Sequence, residues 1–376
     1  MISKRLAALA ALAGATLAQS SGDLATVLNA TDGASTIGQV VSQLSGFLDA
    51  IDGKTNLTFI APNDTAIAQF LNSSQGRAAS DAGDDYLVNL LLYHTINGGY
   101  KNITDYFVAH TLLTSNALTN VSGGQFVGAY YDDDENVTSF LSADYNTSDA
   151  SLAPLSFAQG WIYIIDSVLS IPEVFSEVAV AKDFNGTSFA AALDNTGLTE
   201  QFNWLHDVTY FLPLDAGWAT VDEALAQLSK DNLTEVLKYH VADQILLFDD
   251  WTNGTQVTTL QGQTITFTQT PDEEWFVNNA GVSGVDYFSS GGVVVLLDSV
   301  LNPYSPWAPP RNGTDGDGVP AWPVSNATST GAGGSSTASA TGSVATATYT
   351  GASVPLKVGA VGTAVFLGHA ALSLLF

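Results

Sequence analysis

The chain says the same thing twice, in three landmarks that keep their order. Thr58-Phe59-Ile60-Ala61-Pro62-Asn63-Asp64 returns as Thr209-Tyr210-Phe211-Leu212-Pro213-Leu214-Asp215, Tyr93-His94 returns as Tyr239-His240, and residues 160–169 (GWIYIIDSVL) return as 292–301 (GVVVLLDSVL). The separation falls from 151 residues between Pro62 and Pro213 to 146 between His94 and His240 and 132 between Asp166 and Asp298, so the second copy is the shorter. Solenoid units recur every ~20–50 residues, so a period this long means two globular domains in tandem. The chain has no cysteine to cross-link it, and domains of roughly 130 to 150 residues are large enough to be held by their own cores.

Each copy reads as strands mixed with helices, an α+β pattern. In the first, Ile37, Val40, Val41, Leu44, Phe47, Leu48 and Ile51 are spaced three and four apart, one apolar helical stripe that ends near Gly53. Residues 56–61 alternate as a strand, Pro62 stops it, and Asn63-Asp64 can cap a helix with Ala66, Ile67, Phe70 and Leu71 on its inner face. A helix is expected over 86–94, strand-like runs from Val121 to Leu141, and a strand buried on both faces over 161–165. The second copy repeats this with helices around Phe189 to Leu198 and over 233–240, strands within 256–268 and a buried run at 293–297. Pro172 marks the seam, before a helical pattern at Val174, Phe175 and Val178. The extra length of copy one falls around 132–150, an acidic stretch expected to be a surface loop.

The two ends read as addresses. Lys4 and Arg5, an apolar run from Leu6 to Leu17, and Thr16 and Ala18 at the positions a signal peptidase reads make residues 1–18 a secretory signal. Its apolar run is about a dozen residues, short of the ~20 needed to span a bilayer. Residues 326–350 are almost entirely Ser, Thr, Ala and Gly, which bury too little apolar surface to order themselves, so residues 306–351 read as a stalk. Small residues at Gly351, Ala352 and Ser353, a spacer with Pro355 and Lys357, and an apolar tail to Phe376 follow the order of a glycosylphosphatidylinositol attachment signal. Gly351 is the expected attachment residue and 352–376 the segment removed.

Ten basic residues face 37 acidic ones, for a formal charge of −27. Removing Lys4, Arg5 and Lys357 with the end segments brings it to −30. That field repels phosphate backbones and anionic lipid headgroups, which argues against nucleic acid as a partner. Behind a signal peptide, thirteen Asn-x-Ser/Thr sequons become candidate glycan sites: Asn29, Asn56, Asn63, Asn72, Asn102, Asn120, Asn136, Asn146, Asn185, Asn232, Asn253, Asn312 and Asn326. Asn63 is the weakest of them, because it sits inside a repeated box.

Together the three landmarks resemble the boxes of the fasciclin (FAS1) family. Its first box is similar to 58–64 and 209–215, its Tyr-His pair to Tyr93-His94 and Tyr239-His240, and its second box to 160–169 and 292–301. The resemblance spans about 285 residues and implies two domains, 22–171 and 172–305, each a wedge-shaped β-sandwich with flanking helices. It also implies a role in adhesion or matrix organisation without a catalytic centre or cofactor. With a signal peptide, a Ser/Thr stalk and an anchor signal, the whole resembles the surface proteins of fungi. The partners so implied are a matrix or cell-wall protein or polysaccharide, or a second copy of the chain, with the membrane reached through the anchor. Leu214 and Gly217 depart from the first copy, so the second box is expected to be looser.

The resemblance implies a partner-binding surface at the Tyr-His neighbourhood, Tyr93, His94, Tyr239 and His240. From the residues alone, a His ending an apolar helix satisfies its last carbonyls and favours its dipole. Asp166 and Asp298 are expected to cap the turn that follows each of them. There is no Gly-x-Ser-x-Gly elbow, His-Glu-x-x-His, P-loop or dinucleotide fingerprint. A secreted hydrolase is therefore only the third reading, after adhesion and after wall-structural or polysaccharide binding. Asp132-Asp133-Asp134-Glu135 reads as a solvated loop with calcium as its rival, while Asp315-Gly316-Asp317-Gly318 lacks the closing Glu of a calcium loop. Six tryptophans, Trp204, Trp218, Trp251, Trp275, Trp307 and Trp322, lie in or just beyond the second copy. Trp204 and Trp218 are expected in the core and Trp307 and Trp322 in the linker, and any exposed row would favour sugar binding.

Overall fold

The computed structural model describes residues 22–143, 146–151, 153–182, 184–305 and Trp322. The expected signal segment, the anchor segment with Gly351, the stalk apart from Trp322, and Asn312, Asn326, Trp307, Asp315 and Asp317 lie outside the described residues. The chain divides into two compact units, with Pro172 opening the main body of the second and Asn116–Ser122 grouping with it.

The first unit opens with α1 (Leu24–Ala30), α2 (Ser35–Gln43) and α3 (Ser45–Ile51). The single stripe read over 37–51 is two helices, because Leu44 leaves helical geometry at φ −94° and ψ 81°. Both halves still bury their apolar faces in one core, through Ile37 and Val41 before the break and Phe47 and Ile51 after it. Then come β1 (Leu57–Pro62), α4 (Asp64–Asn72), α5 (Ser74–Ala82), α6 (Asp84–Tyr93), β2 (Thr95–Ile96), β3 (Phe107–His110), β4 (Phe126–Asp132), β5 (Val137–Leu141), β6 (Thr147–Asp149), β7 (Leu155–Phe157) and β8 (Gly160–Ile165). One sheet has the order β2-β1-β8-β7 and the other β3-β4-β5-β6.

The pairing that positions the landmarks is β1 with β8. They run parallel from Leu57 opposite Gly160 to Pro62 opposite Ile165. A parallel pair needs a long crossover, and here the elements from α4 to β7 lie between the two boxes. The repeated segments are therefore the central strands, which explains their apolar runs. The acidic excess at 132–150 is more ordered than a loop: β4 runs to Asp132, β5 begins at Val137, and only 133–136 form the exposed tip.

The second unit repeats the plan. It has α7 (Phe175–Val180), α8 (Thr187–Thr196), α9 (Thr199–Asn203), β9 (Val208–Pro213), α10 (Asp215–Ala219), α11 (Asp222–Leu225), α12 (Lys230–Tyr239) and β10 (Val241–Ala242). After a 3-10 turn at Phe248–Asp250 come β11 (Gln256–Thr258), β12 (Thr264–Gln269), β13 (Trp275–Val277), β14 (Ala280–Ser289) and β15 (Gly292–Leu297). Its strands form one seven-stranded sheet, β10-β9-β15-β14-β13-β12-β11, with β9 and β15 parallel and in the register of the first copy. Helices and sheets in each unit agree with the α+β expectation, and neither unit closes into a barrel. The looser second box is visible too. Asn63 caps α4 by accepting the Ala66 N–H at 2.8 Å, whereas Leu214 offers α10 no side-chain cap and that helix is five residues long.

Candidate functional site

The residues repeated between the copies form one hydrogen-bonded cluster in each unit, built on matching bonds. Ile60 N–H donates to the carbonyl of His94, and Phe211 N–H to that of His240, both at 2.8 Å. This fixes the end of the Tyr-His helix against the first box. The imidazoles then reach the second box: Nε2 of His94 accepts the Leu169 N–H at 3.0 Å, and Nε2 of His240 the Leu301 N–H at 2.9 Å. Nδ1 of each ring lies 2.8 Å from a helix carbonyl, Leu90 or Val236. Because Nε2 accepts, Nδ1 must carry the proton and donate, so both rings are neutral.

Burial enforces that state. His94 and His240 are 1% and 0% exposed, and burial lowers each pKa from 6.5 to about 4, against the helix carbonyl, which pulls it up. The sequence expectation of a carbonyl-satisfying histidine agrees with this geometry. Its charge–dipole half does not apply, since a neutral ring brings no charge to the helix end. Tyr93 and Tyr239 are fully buried, which raises both phenol pKa values, with Asn278 opposing the rise at Tyr239. Tyr93 donates to the Phe126 carbonyl at 3.0 Å and Tyr239 to the Thr264 carbonyl at 2.9 Å. None of these four side chains lies where a partner could touch it while the domain stays closed.

The carboxylates of both boxes also bind backbone. Asp64 Oδ1 accepts the Thr36 N–H at 2.8 Å and Asp215 Oδ1 the Ser188 N–H at 2.7 Å, so each caps a helix that precedes it in the chain. Asp166 and Asp298, expected to cap the turn after them, bind backbone of a distant strand. Their Oδ1 atoms accept N–H groups from residues of other strands, Asp149 of β6 at 2.9 Å and Gly281 of β14 at 2.7 Å. The reverse bonds, Asp166 N–H to the Asp149 carbonyl and Asp298 N–H to the Gly281 carbonyl, close each pair. Sequence reasoning overlooked Thr58 and Thr209, though their recurrence in the first box was the signal. Each hydroxyl donates to a carbonyl, Gly98 or Gln244, and accepts an N–H, from Tyr100 or Leu246, in the loop after the Tyr-His helix.

Other candidates lie apart from these clusters. His110 places Nδ1 2.6 Å from the Gly124 carbonyl, and His206 is exposed. At the acidic tip, Asp132 Oδ1 accepts the N–H groups of Asp134 and Glu135 and so shapes the turn. Among the described residues no three His, Asp or Glu side chains gather as a metal cage. Among the described residues, nine sequon asparagines are exposed: Asn29, Asn56, Asn72, Asn102, Asn136, Asn146, Asn185, Asn232 and Asn253. Asn63 is half-buried and engaged as a cap, and Asn120 is buried, which nothing in its sequence signalled.

The tryptophans split differently from expectation. Trp218 is in the core, but Trp204 is 55% exposed. Trp322, read as linker, is buried against the second unit with its Nε1–H 3.3 Å from the Val300 carbonyl. Trp251 is the centre of an aromatic group, with Phe248, Phe267 and Trp275 at ring distances of 5.4, 4.6 and 5.6 Å. Phe248 and Trp275 are half-buried at its margin, and Asp249 and Asp250 are exposed beside them. Burial, and then the charge of Asp250, raise the Asp249 pKa.

The fasciclin domain family model matches residues 32–172 and 185–303, one stretch for each copy. A fasciclin-like arabinogalactan protein of Arthroderma benhamiae is 25% identical over 288 residues, covering 73% of this chain and 67% of that relative. Fasciclin-like arabinogalactan protein elcF of Phaeosphaeria nodorum is 26% identical, over 74% of this chain and 88% of its own. A solved FAS1 domain pair from the insect cell adhesion molecule fasciclin I shares 16% identity over 73% of this chain and 99% of that one. The TM-score of that match is 0.35.

Proposed function

The chain belongs to the fasciclin domain family, and on that premise we propose that it is an exported cell-surface or wall glycoprotein that adheres to other cells or to matrix and wall components. The carrying observation is the use to which the repeated polar groups are put. His94, His240, Asp64, Asp215, Asp166 and Asp298 all hold the domain's own backbone. Both imidazoles have their nitrogens engaged, so neither has a lone pair to offer a substrate. Groups engaged in this way build a scaffold, and the function of a scaffold is in the surface it displays. Nine exposed sequons suit passage through the secretory route. The relatives named fasciclin-like arabinogalactan proteins agree with a surface role.

The test is a deletion strain compared with its parent for attachment to host surfaces, wall polymers and its own kind. Reduced attachment, restored by the intact gene, is the expected result, and normal attachment to every surface refutes adhesion. Anchoring is tested separately: phosphatidylinositol-specific phospholipase releases the protein from cells if Gly351 or a neighbour carries the lipid.

Polysaccharide binding is the second reading. Trp204 and the half-buried Phe248 and Trp275 beside Asp249 and Asp250 favour it, since aromatic faces stack on sugar rings while carboxylates accept hydroxyls. A glycan array with each domain separately distinguishes it from protein-mediated adhesion.

A further inference from the structure

We infer that Asn136 carries an N-linked glycan whose first N-acetylglucosamine lies on the ring of Tyr131, so that sugar and hairpin pack as one unit. This rests on the export proposed above, which supplies the glycosylation machinery.

Three observations meet at the β4–β5 hairpin. Asn136 is exposed at the tip with φ 56°, a left-handed turn position that asparagine tolerates. Tyr131 stands directly opposite Thr138, the hydroxyl residue of the same Asn136-Val137-Thr138 sequon. Residues opposite one another in an antiparallel pair share a face, so the tyrosine ring and the sequon threonine lie side by side. Finally, the Tyr131 hydroxyl donates to Asn136 Oδ1 at 2.5 Å, which brings the half-buried ring against the carboxamide that is modified.

The chemistry leaves that contact intact. A lipid-pyrophosphate-linked oligosaccharide is the donor. The bond from sugar C1 to the pyrophosphate oxygen breaks, a bond from C1 to Asn136 Nδ2 forms, the lipid pyrophosphate leaves and the amide loses one proton. Oδ1 keeps its lone pairs and goes on accepting from Tyr131. The sugar's apolar C–H face then meets an aromatic face already in place.

Asp132 fixes the turn by accepting two N–H groups from the tip, so little ordering remains to oppose the packing. Asn72 and Asn253 differ: the first turns its amide onto the Ala68 carbonyl and the second accepts the Gln269 N–H. The acidic tip between β12 and β13, at Asp272, Glu273 and Glu274, has no sequon and serves as an internal control.

The experiment uses the full chain secreted from a eukaryotic host. Peptide mapping after peptide N-glycosidase treatment in heavy-oxygen water reports occupancy, and trimming to a single N-acetylglucosamine isolates the first sugar. Asn136→Gln is expected to lower the melting temperature of the first domain by about 2 °C. In a Tyr131→Ala background it is expected to lower it by less, because only the strain of glutamine at a left-handed position remains, while Tyr131→Phe keeps the coupling because the ring remains. Should Tyr131→Ala fail to fold, NMR of the trimmed native protein gives the same answer through ring-current upfield shifts of the first sugar's protons. An unoccupied Asn136 beside other occupied sequons overturns the inference and leaves export standing. Equal effects of Asn136→Gln in both backgrounds, or unshifted sugar protons, overturn it as well. A protein with no occupied sequon removes both the inference and the export reading.

Discussion

Asp64 caps a helix that lies behind it in the chain: its Oδ1 accepts the N–H of Thr36, 28 residues earlier, at 2.8 Å, and its Oδ2 accepts the Ser35 hydroxyl at 3.2 Å. Asp215 does the same for Ser188 and Thr187 at 2.7 and 2.6 Å. The N-terminus of α2 has no side-chain cap of its own at Ala34, nor has α8 at Gly186. Asp64→Ala and Asp215→Ala should therefore each cost about 1–2 kcal/mol, the range for losing a helix cap. Both pKa values are lowered. At Asp64 the Thr36 N–H is the main cause, and at Asp215 burial acts in the opposite direction but is outweighed by Thr187 and Ser188. The stabilisation is thus present above the ordinary pKa of 3.8 and is lost as pH falls below it. Urea midpoints at pH 6 and pH 3 check this, with the wild type and the alanine variants converging in acid.

The two histidines set a second, higher pH window. Each has an unfolded pKa near 6.5 and a folded value of about 4. Their neutral form is compatible with folding above pH 6.5. Between 6.5 and 4 the unfolded chain takes up protons that the native rings refuse, so stability falls, by roughly 3 kcal/mol per histidine at full extent. A charged imidazole would also turn an Nε2–H against the Leu169 or Leu301 N–H. Calorimetry from pH 7 to 4.5 should show a falling melting temperature for both domains. His94→Gln should flatten the slope for the first domain only.

Much of this arrangement was legible because the chain prints it twice. The apolar runs at 161–165 and 293–297 identified strands covered on both faces, and the recurring Tyr-His pair marked a helix end. What the sequence hid was partnership. The Leu169 and Leu301 N–H groups that bind the histidines are backbone atoms with no residue signature. The Asp166 and Asp298 carboxylates bind strand residues 17 positions earlier in the chain, and local capping rules consider only neighbours. The break at Leu44 was hidden as well, because the apolar spacing continues through it.

Gly217 explains one asymmetry between the copies. It stands where the first copy has Ala66, and a Cβ on it would lie 2.1 Å from the Asp298 carbonyl oxygen. Backbone at that distance cannot yield as a side-chain tip can. Gly217→Ala should destabilise the second domain by about 1–3 kcal/mol, the usual cost of overpacking, although alanine is the better helix former. Ala66→Gly, which adds no atom, should cost only about 0.5–1 kcal/mol, from the freedom glycine loses in a helix. Thermal unfolding of the two variants, domain by domain, distinguishes the cases.

Trp322 extends the second domain past its last strand. Its side chain is buried with Val300 and Trp218 in the core cluster, and its Nε1–H meets the Val300 carbonyl at 3.3 Å. Burying such a ring stabilises by roughly 1.5–3 kcal/mol, which is more than a spacer should contribute. A chain cut after Ser305 should therefore melt several degrees lower in its second domain than one cut after Ser325, while the first domain is unaffected. Trp322→Ala in the longer chain should reproduce the loss, and Trp307→Ala in the same chain serves as the comparison. If both truncations melt together, residue 322 belongs to the stalk and the second domain ends at its final strand.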